Sequence, residues 1–144
     1  MANLSRTLLN LLLFLLSLRT TFGCLCPPHD NVKDQFCQKD IVFQGTVTSV
    51  VDLFLSSETP HDDVIMYHIR VDKMYRGFLG RDVWLSTSRY SSSCGVHLQE
   101  GVHYLLTTSW DKSLHSCGWN VPMSSLTEDE LYAIHRNLDC LEKS

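Results

Sequence analysis

The sequence predicts a small, mainly β barrel with flanking helices, secured by disulfides. Three observations carry that reading: apolar residues alternate with period two through most of the chain, only one segment has the signals of a stable helix, and six cysteines stand in an even set. Each follows from the order of the residues.

Residues 1–23 read as a secretory signal peptide. Arg6 supplies a positive start, residues 8–18 are mostly leucine, and Thr21-Phe22-Gly23 offers small residues where a signal peptidase cuts. The apolar run is shorter than the roughly 20 residues a bilayer span needs. Cleavage after Gly23 leaves one domain, 24–144, beginning at Cys24, and losing Arg6 and Arg19 takes the formal charge from −4 to −6. An acidic balance of that size disfavours nucleic acid and anionic membrane, which reward clustered Lys and Arg. The expectation is therefore no nucleic acid, no membrane insertion and a secreted, extracellular monomer. The sequon Asn3-Leu4-Ser5 falls within the leader, so the mature domain is expected to carry no N-glycan.

Cys24, Cys26, Cys37, Cys94, Cys117 and Cys140 all follow the leader, and three disulfides are the default in an oxidising compartment. Fifteen pairings are open to six cysteines. Each bridge closes a long loop, worth roughly 4 kcal/mol on chain entropy. Cys24 and Cys26 are one residue apart and do not readily bond to each other, so each needs a distant partner. The segment between them would be pinned twice, and it would also be the chain terminus.

Pro27-Pro28 keeps the chain extended after Cys26. Residues 31–37 fit a helical turn with Phe36 as a core anchor. Ile41, Phe43, Gly45 and Val47 alternate with Val42, Gln44, Thr46 and Thr48 as a half-buried strand, with Gly45 a candidate bulge. Residues 52–63, including Ser56-Ser57-Glu58-Thr59-Pro60, are too polar for a core and read as an exposed hairpin tip. The following strand, 64–75, sets Tyr67, Ile69 and Val71 against His68, Arg70 and Asp72. Gly77-Phe78-Leu79-Gly80 turns into a strand at 83–87, Ser91-Ser92-Ser93 forms a loop before Cys94-Gly95, and 102–109 gives another strand. After Pro122, Thr127 and Glu130 form a capping box, Leu126 and Leu131 a hydrophobic staple, and Leu131, Ile134 and Leu138 one apolar face. Trp84, Trp110 and Trp119 are expected to pack in the core or at the barrel edge.

Cys24-Leu25-Cys26 after a leader, Phe36-Cys37 with Asp40-Ile41-Val42, Lys73-Met74-Tyr75-Arg76-Gly77-Phe78, Ser92-Ser93-Cys94-Gly95, and Cys117 followed by Pro122 together resemble one family. It is the tissue inhibitors of metalloproteinases, in their N-terminal netrin-like domain. The resemblance implies a five-stranded oligonucleotide/oligosaccharide-binding (OB) barrel with bridges Cys24–Cys94, Cys26–Cys117 and Cys37–Cys140. It implies no enzyme but an inhibitor of zinc metalloproteinases of the matrix metalloproteinase class. The free amine and carbonyl of Cys24 would chelate a zinc that belongs to the partner protease, the chain having no cofactor of its own. Leu25 would enter the primed-side specificity pocket, with Cys26, Pro27, Ser92, Ser93 and Cys94 as further protease contacts. The two serines are assigned by position alone.

Three departures accompany the resemblance. Leu25 stands where members usually have Thr or Ser, Pro27 where they often have an aliphatic residue, and the stretch to the third cysteine is one residue longer. The vertebrate proteins carry a second six-cysteine domain, so with the chain ending at Ser144 interactions that depend on that domain are not implied. These departures motivate a second reading, a secreted binding module for a receptor, matrix component or immune cell. Seven scattered histidines, His29 among them, form no metal spacing such as H-E-x-x-H, and oxidised cysteines are poor ligands or nucleophiles.

Overall fold

The computed structural model describes residues 24–26, 36–53 and 63–136. The leader, Pro27, His29, the polar tip at 54–62, Leu138 and Cys140 lie outside the described residues. The elements run β1 (Ile41–Leu53), β2 (Val64–Arg76), β3 (Asp82–Ser88), β4 (His103–Thr108), β5 (Val121–Pro122) and helix α1 (Glu128–His135), with 3₁₀ turns at Ser91–Ser93 and Met123–Ser125. One antiparallel sheet has the order β3-β2-β1-β4-β5. A parallel bridge from Ser86 to Ser113 brings the chain after β4 back to the free edge of β3, and the sheet curls as in a small OB-type fold.

The alternation in β1 and β2 does what its period dictates. Ile41, Phe43 and Val47 of β1, Ile65, Tyr67 and Ile69 of β2, and Val83 and Leu85 of β3 fill the interior. Gly45 falls at a register shift, as its candidate bulge requires, and a Cβ there would stand 2.6 Å from the Ile69 side chain. The other face of β1 and β4 is covered as well. Val42 and Leu105 point outwards onto Phe36, Trp119 and Ile134, forming a second apolar cluster beneath α1. Two-sided burial explains why β4 reads Tyr-Leu-Leu-Thr-Thr rather than alternating.

Helix α1 starts where the capping box places it. Thr127 Oγ1 accepts from the Glu130 amide at 3.3 Å, and the Glu130 carboxylate accepts from the Thr127 amide at 2.8 Å. Ile134 is its one fully buried side chain, and the helix is attached to the sheet through it.

Several expectations need correction. The hairpin tip begins later and ends earlier than 52–63: β1 runs through Leu53, and Asp63 is buried at 9 % exposure because its neighbours bind it. β5, two residues long, is too short to carry a period and escaped the sequence reading. Trp119 is buried, but Trp110 is 66 % exposed in the turn after β4, and Trp84 is 44 % exposed on the outer face of β3, packed on one side by His68. The expectation of core or edge packing thus holds for Trp119 in the core and Trp84 on the edge strand β3, and fails for Trp110.

Replacing Ile134 by Ala should cost about 2–5 kcal/mol in chemical denaturation, because it empties the anchor of α1. Tyr132→Ala, two residues away and 59 % exposed, should change stability by no more than about 0.5 kcal/mol.

Candidate functional site: a doubly bridged, exposed segment

The site is built from two loops that buried hydroxyls hold in place. Tyr67, fully buried in β2, donates its hydroxyl to the Val96 carbonyl and accepts from the Leu98 amide, both at 3.0 Å. Burial pushes this phenol above its ordinary range, which keeps the donated proton in place. Thr87 of β3 accepts from the Val96 amide at 3.0 Å and donates to the Leu114 carbonyl at 2.9 Å. Thr107 of β4 accepts from the Trp119 amide at 2.8 Å. Backbone groups that would otherwise be buried unpaired are satisfied, and the loops at 94–98 and 114–119 are fixed relative to the sheet.

The first loop is tightly wound. Ser91–Ser93 makes a 3₁₀ turn ending at Cys94, whose φ of 62° is left-handed. That conformation costs a non-glycine residue about 1–2 kcal/mol. Hydrogen bonds from the Ser93 and Gly95 amides to the Tyr90 carbonyl, and from the Cys94 amide to the Ser91 carbonyl, hold it. Gly95 is required next, because a Cβ there would stand 2.1 Å from the Ser88 carbonyl oxygen.

The turn end of the β1–β2 hairpin is fastened to this loop. The Tyr90 hydroxyl donates to Asp63 at 2.9 Å, the Arg89 amide to the Asp63 carbonyl at 3.0 Å, and the Arg89 guanidinium pairs with Asp52. The Ser116 amide donates to the Cys94 carbonyl at 2.9 Å, joining the two loops to each other.

Residues 24–26 lie across this joined pair. Cys24 is bridged to Cys94 with their Cα atoms 5.2 Å apart, and Cys26 to Cys117 with theirs 5.0 Å apart. These are the pairs the resemblance implies. Cys37 is disulfide-bonded too, and its implied partner Cys140 is outside the described residues. The Cys24 and Cys117 sulfurs touch at 3.5 Å, a van der Waals contact since neither carries a proton. Cys24, Cys26 and Cys117 place three sulfurs within 4.8 Å, a spacing that thiolates would use for a metal. All are oxidised, so they offer no thiolate.

Between the bridges stands Leu25, 88 % exposed, the most exposed of the large apolar side chains among the described residues. Ser92 and Ser93 are exposed beside Cys94, one bridge away from Leu25. The structure therefore brings Cys24, Leu25, Cys26, Ser92, Ser93 and Cys94 onto one ridge. Sequence reasoning missed the positioning residues Tyr67, Thr87 and Thr107, and the Arg89-Tyr90 link to the hairpin. Hydroxyls on the inward-facing positions of strands were the available signal.

A small OB-type barrel whose adjacent half-cystines are bridged to two separate loops, exposing the residue between them, defines a disulfide-clamped netrin-like domain. The family described as tissue inhibitor of metalloproteinase matches residues 23–140, a stretch that contains all six cysteines, and the chain belongs to that family. Metalloproteinases are its partners at the level of the family. No curated protein matches the chain. Among the described residues, no helix is long and apolar enough to cross a membrane.

Tyr67→Phe should leave the Val96 carbonyl and Leu98 amide buried without a partner and cost about 1–3 kcal/mol. Amide exchange at Leu98 should quicken while Cys24–Cys94 and Cys26–Cys117 still form.

Proposed function

We propose that the protein is secreted after removal of residues 1–23 and inhibits zinc metalloproteinases through the terminus this creates. The observation that carries the reading is the 88 % exposure of Leu25 on a segment bridged on both sides. An apolar side chain held out in water by two covalent ties is suited to a pocket supplied by a partner.

In this mechanism the α-amino nitrogen and carbonyl oxygen of Cys24 chelate the protease's zinc in a five-membered ring. They fill its open position and displace the water that would attack substrate. The amine binds unprotonated, and its reference pKa of about 7.7–8.0 makes proton loss inexpensive near neutral pH. Leu25 enters the primed-side pocket, where burial contributes about 2 kcal/mol. Ser92 and Ser93 extend the contact along the ridge, and Pro27, next in sequence to Cys26, is a further protease contact. The bridges add affinity indirectly, because the terminus is ordered before it binds. Leu25 lacks the hydroxyl that the usual Thr or Ser would offer the protease's catalytic carboxylate. That absence favours the second reading, a netrin-like binding module for a receptor, matrix component or immune cell.

The two readings separate in one titration. Oxidised protein beginning at Cys24 should inhibit a panel of matrix metalloproteinases acting on a quenched peptide, and the same protein with one alanine before Cys24 should not. Equal inhibition by both forms would refute chelation; no inhibition by either, with the bridges intact, would support the binding module. If chelation operates, apparent affinity should also weaken as pH falls below the amine's pKa, once the protease's own profile is divided out.

A further inference from the structure

The two bridges of the ridge touch each other through sulfur. Cys24 Sγ lies 3.5 Å from Cys117 Sγ, and the two atoms belong to different bridges. Cys26 Sγ completes a group of three sulfurs within 4.8 Å of one another. Cys26 is exposed, whereas Cys24, Cys94 and Cys117 are half-buried, and Cys37 is half-buried against the second core. A reductant arriving from solvent therefore meets the ridge first, at Cys26.

A disulfide is opened by a thiolate that attacks one of its sulfurs and expels the other. When a dithiol attacks Cys26, a mixed disulfide forms and Cys117 leaves as a thiolate already in contact with Cys24. Freed of its partner, Cys117 Sγ can turn about its own Cα–Cβ bond into line with the neighbouring bridge. Its attack on Cys24 forms Cys24–Cys117 and expels Cys94 as a thiolate, while the second thiol of the dithiol closes on its own sulfur and releases Cys26. The dithiol is oxidised to a cyclic disulfide, the protein loses one bridge, and the two protons of the dithiol end on Cys26 and Cys94. Opening the other bridge first leads to the same state, because the Cys24 thiolate attacks Cys117 and expels Cys26, with Cys94 already reduced.

We propose that the ridge is a disulfide-exchange site, in which loss of either native bridge joins Cys24 to Cys117 and leaves Cys26 and Cys94 as thiols. Attack within the molecule, across an existing contact, outruns a second encounter with the reductant. Chain entropy scarcely opposes the new pairing, since it spans 93 residues where the native bridges span 70 and 91. After exchange Leu25 is tied on one side only. The exchange itself does not depend on protease inhibition; the loss of inhibition it would bring rests on that reading.

The test uses oxidised protein collected from culture medium and a limiting amount of a water-soluble phosphine, which reduces one bridge per molecule as it becomes the phosphine oxide. Reduction is carried out at about pH 4, where thiols stay protonated and exchange is halted. Half the sample is then held at about pH 8, and both halves are returned to acid, blocked with a maleimide and mapped by proteolysis and mass spectrometry. In the acid half the labels should fall on native pairs, Cys26 with Cys117 or Cys24 with Cys94. In the other half they should move to Cys26 and Cys94, with a Cys24–Cys117 cross-linked peptide in place of the native ones. Native pairings kept at pH 8, a Cys26–Cys94 bridge, or reduction that begins at Cys37 with the ridge intact would each overturn the proposal.

Discussion

Three buried hydroxyls decide where Leu25 stands, although none of them touches it. Tyr67, Thr87 and Thr107 are fixed by the sheet, and each bonds backbone in a loop that carries or adjoins a half-cystine. The loops are fixed in turn, and Cys94 and Cys117 transmit their position to Cys24 and Cys26. Order thus passes from packed strands through hydrogen bonds to covalent bridges, and reaches an exposed segment with little apolar packing of its own.

The same sheet serves two cores. Its inner face is filled by alternate residues of β1, β2 and β3, while the outer face of β1 and β4 is covered by Phe36, Trp119 and Ile134. Cys37 is the neighbour of Phe36, so the third bridge is attached at the second core rather than at the ridge. Two bridges shape the site and one secures the layer behind it.

Much of this was legible in the residues. Alternation placed the long strands, the Thr127–Glu130 pair placed the start of α1 to the residue, and Cys24-Leu25-Cys26 marked the site. A period of two, however, says which face a hydroxyl occupies and not which backbone atom meets it, so Tyr67 read as core and its role in holding residues 96–98 did not show. The single bridge from Ser86 to Ser113 that draws the sheet round is a long-range pairing with no local signature. The left-handed turn at Cys94 was likewise hidden, since left-handed backbone is ordinarily advertised by glycine and here the glycine follows it. Trp110 misled through the general preference of tryptophan for burial, which its position in a turn overrides.

The contact between the Cys24 and Cys117 sulfurs has a mechanical consequence. Because the two bridges abut, the segment they hold cannot swing about either one as a hinge. A pull on the chain beyond residue 26 loads Cys117 and its loop before it reaches Leu25, and the strain is shared by the strands behind. The ridge behaves as a bracket fixed at two points, and its stiffness is that of the sheet to which it is fastened.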